Sequence, residues 1–382
     1  MMTSPPGELV RFANLDLDRD AEFETELRAL GDVFDGFTRR SAVSGGQGRA
    51  LRQAHAKTYG LVRAHLVVHS ALPAEYAQGM FIDAARYDAV VRFSNGLPHV
   101  RADALLGSGC GVGIKLFGVP GASLLDDEPD TGTVDFNLIN NPTFFCNTVR
   151  DYLVIAPLFE QLPEPLSVRE SRHRFLQEFL TRGNTLAEKD WLWDELLSLL
   201  SFSSIARVNL LLYTYWSMGA MRHGDYVAKV RIVPTAASAA SVRHRAVDVV
   251  AEPEPFRRTL AAEVVAMDHV FDLQVQLCTG LDAMPVENTS LEWPERLSSF
   301  VTVATLVIPA QDIAGDDNIA AAEHLSFTPW RTRAEHQPIG QIQDVRREIY
   351  RRVSTVRHEV NGVVRREPAT VDEAFLGMAR QA

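Results

Sequence analysis

From residue 61 to residue 139 the chain runs in short apolar-rich stretches, 61–68, 89–93, 111–117 and 133–139, each bounded by Gly, Pro, Asn or Asp. Such runs, rich in β-branched and aromatic residues between turn formers, predict consecutive strands of an antiparallel sheet. The period then lengthens. Between residues 148 and 218 apolar side chains recur at helical spacing with charges opposite them, as in "RHRFLQEFLTRGNTLAEKDWLWDELLSLLSF". Strands resume at 225–234, 270–279 and 298–309, and the first two alternate apolar with polar, as half-buried strands do. Pro329 and Gly340 punctuate the C-terminal stretch, and 342–358 reads as a basic amphipathic helix. Strands, helices, strands and a helix predict one α+β unit and not a βαβ series.

Residues 1–45 mix charge with small residues and end in "SAVSGGQGRA". They predict a flexible N-terminal arm with a short helix over 20–30, while 46–382 form a single domain. Such an arm usually wraps a partner subunit or stays loose, and its length favours a homo-oligomer. In 382 residues, 38 Lys and Arg face 49 Asp and Glu, and the net charge of -11 disfavours a nucleic-acid backbone or an anionic membrane as partner. The 3 cysteines show no CxxC spacing, no run nears the roughly 20 apolar residues of a membrane span, and the start lacks an apolar secretion core. A cytoplasmic protein is the expectation. "GSGCGVGIK" is not read as a dinucleotide loop, because its glycines precede or lie within a strand.

Several polar residues interrupt this framework. "LRQAHAKTYG" places His55 just before the first strand with Arg52 three residues earlier, which suits an ordinary loop histidine as well as an acid/base. Arg92 lies inside the apolar "VVRFSNG", where a guanidinium needs either a structural salt bridge or an anionic partner. In "DFNLINNPTFF" the paired amides make either a turn or a polar tip aimed into an apolar pocket.

The order His55, "RFSNG", "GVGIKLFG", "NNPTFF" is similar to that of haem catalases, and the chain resembles that superfamily over most of its length, with wording nearest the short bacterial catalase-like proteins. The resemblance implies a catalase-like antiparallel β-barrel with surrounding α-helices, haem b (iron protoporphyrin) as cofactor and a peroxide as substrate. It assigns His55 as the distal acid/base, Asn140 as the orienting amide with Asn141 competing, Arg52 and Arg92 as neighbours of the haem propionates, and Phe144 as the ring against the porphyrin. A neutral imidazole accepts a proton from peroxide and returns it to the leaving oxygen, while the cofactor carries the redox chemistry.

One departure matters. Haem catalases hold iron through a tyrosine in an R-x-F-x-Y-P segment, and the corresponding "LSFTPWRTRAEHQPIG" contains none; neither Trp330 nor Arg331 is a competent ligand. Three alternatives stay open: Tyr350 in "VRREIYRR", with Arg346 four residues before it; His336; or no haem at all. In the approach to the iron Asp103 is kept, but Gly107 and Ser108 stand near a second expected aspartate, which suits an organic hydroperoxide or co-substrate. The expected function is a haem-dependent catalase-like oxidoreductase. A hydroperoxide isomerase or biosynthetic haem enzyme, and a haem-free binding or structural protein, are the alternatives.

Overall fold

A computed structural model of the chain describes residues 8–44, 48–160 and 169–376. The predicted strands form, in order: β1 (Thr58–Val68), β2 (Arg86–Asn95), β3 (Cys110–Leu116), β4 (Val134–Ile139), β7 (Tyr226–Pro234), β8 (His269–Leu277) and β9 (Val301–Ile308). Two strands of three residues, β5 (Tyr215–Ser217) and β6 (Met221–His223), add to them. The sheet runs β5-β4-β3-β2-β1-β9-β8-β7-β6, and a further β5–β7 pairing closes it into an eight-stranded antiparallel barrel, with β6 a hairpin partner of β7.

Alternation along the strands divides the side chains between two faces. Ala89, Val91 and Phe93 of β2, Val112, Ile114 and Leu116 of β3, and Val134, Phe136 and Leu138 of β4 join one buried cluster. Burial of each large side chain contributes about 1.5–3 kcal/mol, against which conformational entropy stands. The pairing register gives the other face three rows: Ser94, Gly111, Ile139; then Arg92, Gly113, Asn137; then Val90, Lys115, Asp135.

Among the described residues the helices are α1 (Ala21–Ser44), α2 (Val149–Glu160), α3 (Arg169–Leu180), α4 (Trp193–Ser204), α5 (Ala236–Ser241), α6 (Pro255–Val264), α7 (Asp316–His324), α8 (Gln341–Val360) and α9 (Val371–Leu376). The helical reading over 148–218 is thus met by α2, α3 and α4, though it also covered β5, and its residues 161–168 lie outside the described ones.

The N-terminal arm differs from the expected loose segment with a short helix. α1 runs on to Ser44 and packs Phe23, Leu30, Phe34 and Phe37 on Val345, Ile349 and Val353 of α8. Gly31 does not break it. A Cβ there would collide with the Arg352 side chain of α8, whose guanidinium reaches Asp32 and Asp35 at 2.6 Å each, so the glycine lets the two helices approach. Residues 45–47 of the glycine-rich stretch lie outside the described residues.

Candidate active site

The two glycines of β3 leave the middle of the outer face without side chains. His55 lies against Gly111: a Cβ there would stand 2.9 Å from His55 Nδ1 and closer still to Cε1. The Phe327 ring rests on Gly113, where a Cβ would come within 2.9 Å of Cδ1. Glycine at both positions is therefore a packing requirement.

His55 adopts φ 56, an unfavourable region for a non-glycine residue. Three bonds hold it there. Its N–H donates to Gly96 O at 3.1 Å, its carbonyl accepts from Arg92 Nη2 at 2.7 Å, and Nδ1 lies 3.0 Å from Ser94 Oγ. Because the Ser94 hydroxyl donates to Gly111 O at 3.3 Å, it accepts from His55, so Nδ1 carries the hydrogen and Nε2 a free lone pair. Burial, then the charges of Arg92, Arg346 and Arg52, lower the imidazole pKa to about 3. His55 is neutral at physiological pH.

Beside it is a cluster of guanidinium groups around one carboxylate. Glu323, near the end of α7, meets Arg52 at 2.9 Å, Arg49 at 3.6 Å and Arg92 at 3.8 Å, and Arg357 of α8 donates to its backbone oxygen at 2.6 Å. Burial alone would raise the Glu323 carboxyl, but Arg52, Arg92, Arg49 and Arg357 hold it down at about 2. Positive charge exceeds negative here, and the structural ion pair anticipated for Arg92 is present.

α8 faces this sheet. Arg346 Nη2 donates to Asn137 O at 3.4 Å, its Nη1 to Gln343 Oε1 at 2.8 Å, and its Nε to the Tyr350 hydroxyl at 3.4 Å, with the guanidinium 5.3 Å from the ring centre. The spacing of four places both side chains on neighbouring turns of one helix face. Beside Tyr350 opens a cleft of about 490 Å³, lined by Phe23 and Leu27 of α1 together with Phe327, Arg347 and Arg365.

The row below the site anchors the chain that leads into α8. Lys115 Nζ meets Asp135 at 2.7 Å and also Glu367, Arg331 joins Asp135, Glu128 and Glu367, and Thr328 N–H donates to Asp135 at 3.0 Å. Arg331 is thus engaged by carboxylates, and Trp330 Nε1 donates to Gln343 O at 2.6 Å.

The other candidates are engaged in different ways. Asn140 lies just past β4 and uses both ends of its amide on backbone, accepting from Cys110 N–H at 2.7 Å and donating to Ser108 O at 3.0 Å. Asn141 bonds Thr143 O at 3.0 Å and accepts from Ser201 Oγ at 3.1 Å, the turn arrangement. Phe144 packs with Phe145 at 4.2 Å in a cluster that reaches the site through Ile139 and Ile342. His336 belongs to a different cluster, with Phe81 and His223 at 5.4 and 5.7 Å, and accepts from Met80 N–H at 3.0 Å. Asp103 is buried against Lys57 at 2.7 Å and Tyr59 at 3.1 Å. The structure therefore brings together His55, Arg52 and Arg92, with Arg346 near enough for its charge to act on His55, while Tyr350 touches Arg346 and faces the cleft.

Ser94, Glu323, Arg357 and Asn137 went unnoticed as candidates in the sequence. Asn137 carried a signal, a polar side chain at the outward-facing step of "VDFNLI".

Among the solved structures similar to this chain are three catalases. A fungal catalase aligns with TM-score 0.57 at 15% identity over 91% of this chain and 66% of its own. Catalase A from Saccharomyces cerevisiae gives 0.54 at 13% over 94% and 70%, and a bacterial catalase 0.52 at 12% over 95% and 67%. The chain spans about two thirds of the length of these catalases. The fold is that of the catalases. No family model matches the sequence, and no curated relative does.

Proposed function

We propose that the chain is a haem-dependent, catalase-like oxidoreductase acting on hydrogen peroxide or an organic hydroperoxide. One observation carries the reading: the bare Nε2 of a neutral imidazole lies on the same sheet face that the Arg346–Tyr350 pair approaches from α8.

The residues fit the cofactor. Gly111 makes room for the His55 ring, Asn137 Oδ1 is buried with no partner, and Tyr350 offers a phenolic oxygen beside a guanidinium. Arg52 and Arg92 share the Glu323 carboxylate while Arg357 bonds the Glu323 backbone oxygen, which leaves positive charge for the acidic groups of a porphyrin. Tyr350 would hold the iron, and the three arginines would anchor the rim. When bound, the haem supplies the electron transfer.

The protein's own part is proton handling. Nε2 of His55 takes a proton from one peroxide oxygen and delivers it to the other, so that water leaves instead of hydroxide. Ser94 fixes the tautomer this needs, and the low pKa keeps Nε2 available. Ile139 and Phe144 exclude water from that side.

A haem-free role is the competing reading, favoured by the pairing of the arginines with Glu323 and by Phe327 resting on Gly113. Expression with added haem and an absorbance spectrum decide between the two. A Soret band is expected in the wild type. Tyr350→Phe should retain much less haem, and His55→Ala should keep haem but lose peroxide turnover about 100-fold or more. A wild type that takes up no haem refutes the proposal.

A further inference from the structure

We propose that the carboxamide meeting a ligand over the His55 face is that of Asn137, a role for which the neighbouring Asn140 is unavailable. The inference rests on the function proposed above and adds a positioning residue to it.

Strand parity carries the first step. In β4 the residues that share the face of Gly111 and Gly113 are their register partners, Ile139 and Asn137. Beside His55 the sheet therefore offers hydrocarbon from Ile139, and the nearest amide on that face lies one row further along. Asn140 is beyond the strand, and its amide clips Cys110 and Ser108 together.

The second step is hydrogen-bond accounting. Buried amides are nearly always paired, and an unpaired one costs free energy. Asn137 Oδ1 is buried with no partner, and among the described residues its side chain makes no hydrogen bond. Its backbone is fixed all the same, because the carbonyl accepts from Arg346, the residue that also touches Tyr350. A carboxamide without partners on a fixed stretch of backbone, in the row next to His55, is arranged for a small ligand that can hydrogen-bond to it.

The test compares the wild type with Asn137→Leu, Asn137→Ala and Asn140→Leu. Each is melted haem-free, then loaded with ferric haem and titrated with fluoride, a small anion that accepts from the Nδ2–H of the Asn137 amide once the side chain turns that end to it, by visible absorbance. Asn137→Leu should melt at or about 2 °C above the wild type, because an unpaired group is removed, whereas Asn140→Leu should melt several degrees lower. Fluoride affinity should fall about tenfold in both Asn137 variants and hold in Asn140→Leu. Lower melting of Asn137→Leu, or unchanged fluoride binding in both Asn137 variants, overturns the assignment. If the wild type takes up no haem, the functional reading fails separately, and the haem-free melts still decide whether Asn137 is held without a partner.

Discussion

Replacing Gly111 by alanine sets two effects of opposite sign against each other. Removing a glycine from a strand interior normally stabilises by about 0.5–1 kcal/mol, because the unfolded chain loses freedom. Here the added methyl would stand 2.9 Å from His55 Nδ1 and 3.0 Å from Leu138 O. The ring must withdraw by roughly 1 Å to reach ordinary contact, which stretches the 3.0 Å bond to Ser94 past usefulness. The lost bond costs about 1 kcal/mol and the overpacking about 1–3 kcal/mol, so the clash wins and the variant is less stable by about 1–3 kcal/mol. Urea denaturation reads the stability, and NMR titration of the haem-free protein reads the imidazole. In the wild type His55, with its pKa lowered to about 3, should stay neutral at every pH at which the protein is still folded, and in Gly111→Ala it should titrate closer to 6.5 as the ring leaves its pocket. A variant more stable than the wild type, with an unchanged His55 titration, would refute the reasoning.

Glu323→Gln leaves Arg52, Arg92 and Arg49 without their shared carboxylate, and should lower stability by about 3–5 kcal/mol in urea melts; a loss under about 1 kcal/mol would show that water or other groups already screen the cluster. Acid should unfold the protein in two overlapping stages. His223 and His336 have folded pKa values lowered by burial to about 4 and 3, so the unfolded state binds protons first as pH falls below 6.5, and each costs about 3 kcal/mol by pH 4. The Glu323 contribution is present above its unfolded pKa of 4.5 and is lost as pH falls toward 2. Urea midpoints that stay flat from pH 7 to 4 would contradict the histidine stage.

Strands were legible where alternation ran for five residues or more, as in β7 and β8. β5 and β6, of three residues each, are too short to show a period and exist because the barrel must close. The length of α1 was hidden because Gly31 looks like a breaker in the sequence, although α8 makes it a contact point. At the site, the wording singled out His55, Arg92 and Tyr350, of which His55 and Arg92 are in direct contact and Tyr350 touches Arg346. Which face a residue occupies depends on register, and register is a tertiary property: that is why "NLINN" drew attention to its adjacent amides and passed over Asn137.

Odd and even positions of β2, β3 and β4 answer to different demands. Val91, Val112 and Leu138 are constrained by the volume of a sealed interior, while Arg92, Gly111 and Asn137, on the same three strands, look out toward α7 and α8. One wall thus serves two tenants, and chemistry on the outer side can be rewritten residue by residue while the inner packing that keeps the barrel shut goes untouched.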